Sequence, residues 1–133
     1  MSSHQNALCQ KSLEALEGAN AEFAAGRYNN AVALAYYHAF QLGVAARIAD
    51  GQTPVRGRWR HGNTADELDK LLKSWGLSKL IGRLRDLAGE RVRAQYKPPG
   101  TYRGDAEETI MRAKELGARI IDNLDLTDEE EAG

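Results

Sequence analysis

One segment of the chain is apolar on nearly every side of a helix. Residues 31–49 read AVALAYYHAFQLGVAARIA, with apolar side chains all round a 3.6-residue period rather than along one stripe. A helix of this kind is stable in water only when neighbouring elements pack around it. The sequence therefore predicts a central helix from about Arg27 to Ala49, ended by Asp50 and Gly51.

One-sided apolar patterns predict a helix on each side of the central one. The preceding helix stops at Gly26. After the central helix, Thr64 and Glu67 fit a capping box that opens a third helix, which Gly76 closes. The apolar positions are Leu8, Leu13, Leu16, Ala19 and Phe23 in the first helix and Leu68, Leu71, Leu72 and Trp75 in the third.

Two more helices are predicted in the second half. Ser78 is placed to cap the fourth, which runs to about Tyr96 because the prolines at 98–99 cannot continue it. Asp105 and Glu108 form a plausible cap for the fifth. The apolar positions of this fifth helix are Ile110, Met111, Ala113, Leu116, Ile120 and Ile121.

The predicted fold class is all-α, a single up-and-down bundle of about five helices with short connections. A chain of 133 residues is about the usual size of one domain, and no repeat or linker divides it. We expect this domain to cover residues 1–126. The acidic residues that follow predict a disordered tail over 127–133.

Charge is distributed unevenly along the chain, although the formal net charge is only -1. Between Arg47 and Arg103, 13 lysines and arginines stand against 6 acidic residues, while both ends are acidic. A basic middle permits a local anion site, although solvated helix faces produce the same pattern.

Cysteine content and hydropathy bear on the location of the protein. Cys9 is the single cysteine, so an internal disulfide is excluded. No apolar run is long enough to cross a bilayer, and no leader pattern is present. These features predict a cytoplasmic protein.

Arg91 interrupts the apolar stripe of the fourth helix. Leu80, Leu84 and Leu87 recur at helical spacing, and Arg91 falls on the same face. A guanidinium keeps its charge, and burying it unpaired would cost several kcal/mol. It therefore needs a carboxylate, backbone carbonyls, a phosphate or a partner chain. A packing role and a ligand-binding role both remain open.

The connection over 51–62 is basic and aromatic. Arg58, Trp59 and Arg60 are consecutive and precede His61. Aromatic stacking and arginine contacts to phosphate are the usual components of nucleic-acid sites, so these four are candidate ligand-binding residues. A merely solvated loop is the alternative.

Several motifs together resemble the HEPN superfamily (higher eukaryotes and prokaryotes nucleotide-binding), in particular its small stand-alone prokaryotic members. They are GRYNNAVALAYYHAF on the second helix, RHG before the third and RVRAQY at the end of the fourth. Members of this branch show a tyrosine pair, a Ser-His-like step and Arg-x-x-Ala-Asp-Tyr at these places. The matching residues here are Tyr36 and Tyr37, then His61, and finally Arg91, Ala94 and Tyr96.

The resemblance implies a homodimer in which the motif ends of the two fourth helices face each other. It also implies binding of nucleotide, RNA or a cognate nucleotidyltransferase-like protein, with Arg91, Gln95 and Tyr96 as candidate ligand-binding residues. Gln95 stands where the family has Asp, and it accepts a hydrogen bond without neutralising the arginine. Ribonuclease members carry Arg, four to six residues and then His. Tyr96 is a poor base at pH 7, which favours a non-catalytic module.

A metal-independent ribonuclease, such as the toxin of a toxin–antitoxin pair, is the alternative. In that hypothesis Arg91 stabilises the phosphate, Tyr96 replaces the family histidine, and His61 or His38 arrives from elsewhere in the fold or from the partner of a dimer. Arg56 and His61 match the spacing Arg-x4-His, but in the loop.

The remaining aromatic and histidine residues are interpreted as structural. Tyr36, Tyr37 and Phe40 would supply buried area, and His38 shares a face with leucines, as a neutral core histidine does. The three histidines have no companion at metal-ligand spacing, and no glycine-rich phosphate loop occurs. The sequence therefore predicts no metal and no cofactor.

Overall fold

The computed structural model describes residues 2–132, with the side chains of residues 2–124. In this part of the chain no strand occurs, and Val55 and Arg58 form one isolated β-bridge. The predicted all-α bundle is confirmed. Its helices are α1 Ser3–Ala24, α2 Tyr28–Ala49, α3 His61–Ser74, α4 Arg83–Tyr96 and α5 Arg103–Ala132, with a 3-10 turn at Ser78–Leu80 before α4.

The predicted central helix is α2. Thirteen of its 22 residues are buried, and it packs against all four other helices. Ala31, Ala35 and Ala39 lie on one face of it and are fully buried in the main core. The leucines of α3 and α4 and the apolar face of α5 close the other sides. The largest buried residues of that core include Leu42, Leu68, Leu72, Leu84, Leu87, Leu116 and Ile120.

Helices α2 and α5 approach each other closely at His38 and Gly117. A Cβ atom added at Gly117 would lie 2.5 Å from His38 Nε2, so the two helices meet at this distance only because residue 117 has no side chain. His38 is 2% exposed, and its Nδ1 donates to the backbone oxygen of Ser12 at 2.7 Å. Burial lowers the pKa of His38. The prediction of a neutral core histidine is confirmed.

The predicted start of α3 is wrong. The helix begins at His61, so Thr64 lies inside it and caps nothing. The Thr64 hydroxyl is buried and accepts a hydrogen bond from Arg47 Nη1 at 2.9 Å. Glu67 instead accepts from Gln52 and from Lys70. The Thr64 oxygen that the predicted capping box required therefore accepts from Arg47, a residue of another helix.

The predicted caps of α4 and α5 are also wrong. Ser78 opens the 3-10 turn, and α4 starts only at Arg83, because Gly82 has a φ of 84° and interrupts the helix. Asp105 lies in the first turn of α5, which begins two residues earlier. The backbone of α5 is helical to Ala132. The side chains of residues 127–133 are not among those that the structure describes. The expected disordered tail over 127–133 and the domain boundary therefore stay predictions.

Candidate phosphate-binding site

Arg91 lies on two tyrosine rings rather than among leucines. It is half-buried near the end of α4, and its guanidinium carbon is 5.2 Å from the centroid of the Tyr36 ring and 5.7 Å from that of Tyr37. Nη1 donates to the Tyr37 hydroxyl at 3.4 Å and to Gln95 Oε1 at 3.3 Å. Cation–π contacts and two long hydrogen bonds to neutral acceptors hold this cation.

The other arginines of α4 have carboxylate partners, and Arg91 has none among the described side chains. Its Nε is buried and makes no hydrogen bond within that part of the chain. A buried donor without an acceptor is destabilising by roughly 1–3 kcal/mol, and more when it carries charge. Arg91 is thus a cation that lacks an anion. The three paired arginines are Arg83 with Glu115, Arg85 with Asp66 and Asp69, and Arg93 with Glu90 and Asp105.

Tyr36 connects this arginine to the first residue of α3. Its side chain is fully buried, and its hydroxyl forms a short hydrogen bond with His61 Nδ1. The imidazole also stacks on Phe40, with centroids 4.3 Å apart and planes 13° apart. Helical spacing places both aromatic residues on one face of α2, one turn apart. We call Arg91, Tyr36, Tyr37, Phe40 and His61 the Arg91 cluster.

Protonation states in the Arg91 cluster follow from burial and from the Arg91 charge. Burial raises the pKa of Tyr36 to about 12, so its hydroxyl stays neutral. Burial and, to a smaller extent, Arg91 lower the pKa of His61, which is therefore neutral at pH 7. The Tyr36 hydroxyl has no other acceptor in the described structure. We therefore assign its proton to the bond with Nδ1, which puts the His61 proton on Nε2.

A tight turn organises the loop that leads to His61. Val55 and Arg58 exchange two backbone hydrogen bonds of 3.0 and 3.2 Å. Arg56 and Gly57, between them, have φ angles of 53° and 75°, as a type I′ turn requires. The candidate residues Arg58, Trp59, Arg60 and His61 line one open cavity of about 500 Å³. These four consecutive residues, the last of which opens α3, therefore share one open surface.

Arg47 is a site residue that the sequence interpretation missed. It is only 6% exposed, and its guanidinium lies 4.8 Å from the centroid of the Trp59 ring. Nε donates to Gln52 Oε1 at 2.7 Å, and Nη1 donates to Thr64. A charged residue in the last turn of an otherwise apolar helix is the sequence signal that could have found it.

The structure brings Gln95, but not Tyr96, into contact with Arg91. Gln95 accepts from Arg91 as its spacing of four residues predicted. Tyr96 is 72% exposed and makes no hydrogen bond or ring contact with Arg91 in the described structure. His38 is enclosed in the core and does not reach the Arg91 cluster's hydrogen bonds. Of the histidines proposed for the ribonuclease, only His61 therefore lies in the cluster.

A second groove, between α4 and α5, is a poorer anion site. It has a volume of about 480 Å³, and four arginines line it. Four acidic residues line it as well, and ion pairs already neutralise Arg83, Arg93 and Arg112. An anion entering there would have to displace carboxylates. The Arg91 cluster needs no such exchange.

A bundle centred on a buried helix, with an arginine, a tyrosine pair and a histidine at one end, defines a small α-helical protein with a polar site between helices. The chain belongs to the HEPN domain family, whose model matches residues 5–123. This membership indicates a function related to nucleotides or RNA. A search of curated proteins found no match to the chain.

Two further observations concern the described residues alone. None of their helices has both the length and the apolar character needed to cross a membrane. They also contain no group of three or more His, Cys, Asp or Glu side chains arranged to hold a metal ion. The cytoplasmic location stays a prediction.

Proposed function

We propose that this protein is a dimeric, non-catalytic HEPN module that binds RNA through phosphate contacts at the Arg91 cluster. One observation carries the proposal: Arg91 presents a buried, unpartnered Nε and has no carboxylate within ion-pair distance in the described structure. A phosphate oxygen is the acceptor that a planar guanidinium prefers. Nε2–H of His61 supplies a second donor.

The surroundings of the cluster support an anionic ligand. Arg58 and Arg60 are exposed beside His61, and the first turn of α3 contains no acidic residue. No side chain caps the N-terminus of α3, whose backbone dipole favours negative charge. Each of these features adds attraction for a phosphodiester chain. A nucleotide, or a cognate nucleotidyltransferase-like protein, is the alternative ligand of the same site.

The experiment is an RNA titration with two matched variants of α4. Arg91→Met keeps the aliphatic stem and removes the guanidinium, whereas Arg85→Met removes an exposed, paired arginine from the same helix. We expect Arg91→Met to weaken RNA binding about tenfold and to reduce the salt slope by about 1, with a much smaller effect of Arg85→Met. Equal affinities for the two variants would contradict the proposal.

The proposed dimer rests on the family and on the outer face of α4. Val92 is 38% exposed and lies one turn from Tyr96, so an apolar pair faces outward beside Arg91. We expect wild type to be a dimer by light scattering and Val92→Glu to be a monomer. A monomeric wild type across the micromolar range would remove this part of the proposal.

A metal-independent ribonuclease is the second candidate, favoured by the placement of His61 next to Arg91. It requires His61 to accept a proton, but the Tyr36 hydrogen bond places a proton on the free nitrogen Nε2. Purified protein incubated with mixed RNA and chelator distinguishes the two. We expect no cleavage by the wild-type protein. Cleavage by the wild type that disappears in both Arg91→Met and His61→Ala would establish the enzyme.

A further inference from the structure

Trp59 lies between a buried arginine and the loop cavity. Its ring covers the Arg47 guanidinium at 4.8 Å and also lines the cavity of about 500 Å³. Arg47 is fixed by hydrogen bonds of 2.7 Å to Gln52 and 2.9 Å to Thr64. The fixed guanidinium on one side of the ring restricts how the ring can turn before any ligand arrives.

Among the side chains that the structure describes, Arg47 has no direct ion-pair partner. Gln52 accepts from Arg47 and in turn donates to Asp50 at 3.1 Å and to Glu67 at 3.3 Å. The Gln52 side-chain amide therefore links the Arg47 cation to two carboxylates, which lie close enough to offset its charge. This leaves the planar guanidinium free to lie under an aromatic ring, where cation–π contact is strongest for tryptophan.

The distance from Trp59 to the phosphate site is short. One residue, Arg60, lies between Trp59 and His61, so their Cα atoms are at most about 7 Å apart even in an extended chain. His61 is hydrogen-bonded to Tyr36, on which Arg91 lies. A phosphate held by His61 therefore lies two positions along the chain from the residue that carries the indole ring.

We propose that Trp59 is a stacking subsite for one unpaired base and that Arg47 is the residue that positions it. This inference rests on the proposed RNA binding and adds a ligand class to it, single-stranded RNA. Bases in a duplex are already stacked on each other and cannot cover a protein ring, whereas an unpaired base can. Arg47 acts only through Trp59 and contacts no ligand.

The test uses the full chain with Trp75→Phe as the background, which leaves Trp59 as its one tryptophan. The probes are a ten-nucleotide single-stranded RNA, the same sequence as a blunt duplex, and inorganic pyrophosphate. We expect the single strand to quench Trp59 fluorescence and the duplex and pyrophosphate to leave it unchanged. Trp59→Leu should bind the single strand about tenfold more weakly and pyrophosphate as tightly as before.

A double-mutant cycle tests the role of Arg47. Arg47→Lys keeps the charge but loses the planar fork, so it should weaken single-strand binding when Trp59 is present and have no further effect in Trp59→Leu. Gln52→Ala, which loosens Arg47 without removing it, should give the same pattern and serves if Arg47→Lys does not fold. An equal loss in both backgrounds would show that Arg47 acts independently of Trp59 and would overturn the positioning role.

The two proposals fail in different ways. If the RNA and pyrophosphate bind through Arg91 but Trp59→Leu has wild-type affinity for the single strand, the subsite is wrong and the proposed function stands. If neither RNA nor pyrophosphate binds the wild-type protein, both proposals are overturned. A duplex bound as tightly as the single strand, with equal quenching, would overturn the ligand class.

Discussion

Arg47 and Arg91 each place a guanidinium against aromatic rings of one bundle, yet their surroundings differ. Arg47 is nearly enclosed and donates to a glutamine and a threonine at normal distances. Arg91 is less buried, has only long contacts to Tyr37 and Gln95, and keeps an unpartnered Nε. The bundle satisfies the first arginine internally. The second needs something from outside, which is why we assign it to the ligand.

The largest expected contrast between the two arginines is in folding stability. Arg47→Met removes both donors and leaves the buried Thr64 oxygen without a partner, so we expect the free energy of unfolding to fall by about 2 kcal/mol. Arg91→Met should not lower it, because the variant loses only two long hydrogen bonds and relieves the cost of the buried, unpartnered Nε. Urea denaturation of both variants measures the contrast, and equal losses would break it.

Stabilisation of the fold by an added anion should depend on Arg91. Pyrophosphate at ten times its dissociation constant should stabilise the wild-type protein by about 1.4 kcal/mol. Arg91→Met should lose this gain, and Arg85→Met should keep it, because Arg85 already has carboxylate partners. Thermal unfolding with and without pyrophosphate gives the result. Retention of the full gain in Arg91→Met would place the anion elsewhere.

A smaller effect is expected on histidine titration. Arg91 is one cause of the lowered pKa of His61 and is not a cause for His38. In Arg91→Met we therefore expect the pKa of His61 to rise toward its usual value and that of His38 to stay unchanged, measured by NMR titration. A shift of both, or of neither, would contradict the electrostatic assignment.

The same two lowered pKa values set the sign of acid sensitivity. Above the usual histidine pKa of about 6.5 both side chains are neutral in the folded and unfolded states. As the pH falls below that value the unfolded state binds protons first, so the free energy of unfolding decreases. His38→Gln should flatten this decrease in urea denaturation from pH 7 to pH 5. An unchanged slope would show that burial of His38 does not cause it.

The helices were more predictable than their first residues. The apolar pattern of α2 indicated a central helix because a helix that is apolar on all sides is stable in water only when neighbours bury it. The start of α3 was not predictable in the same way. Thr64 has a hydroxyl suited to a cap, but Arg47 from α2 takes that oxygen, and the helix begins at His61 instead. A cap is a local signal, and a tertiary donor overrides it.

The candidate site shows the same division between local and tertiary information. Arg91 and Gln95 share a helix face by spacing alone, so their contact was predictable. Tyr36 was interpreted as core, and it is fully buried, yet its hydroxyl also pairs with His61 across 25 positions of sequence. No periodic pattern relates residues on different helices at that separation.

By itself, the sequence determined a five-helix bundle around α2 and an arginine on the inner side of α4. The tertiary structure decided which charged side chains have partners, because the partners come from other parts of the chain. Arg47 meets Gln52 and Thr64, while Arg91 meets only tyrosine rings, a hydroxyl and an amide. Helical periodicity places a charge on a face, and only packing between helices brings the atoms that neutralise it.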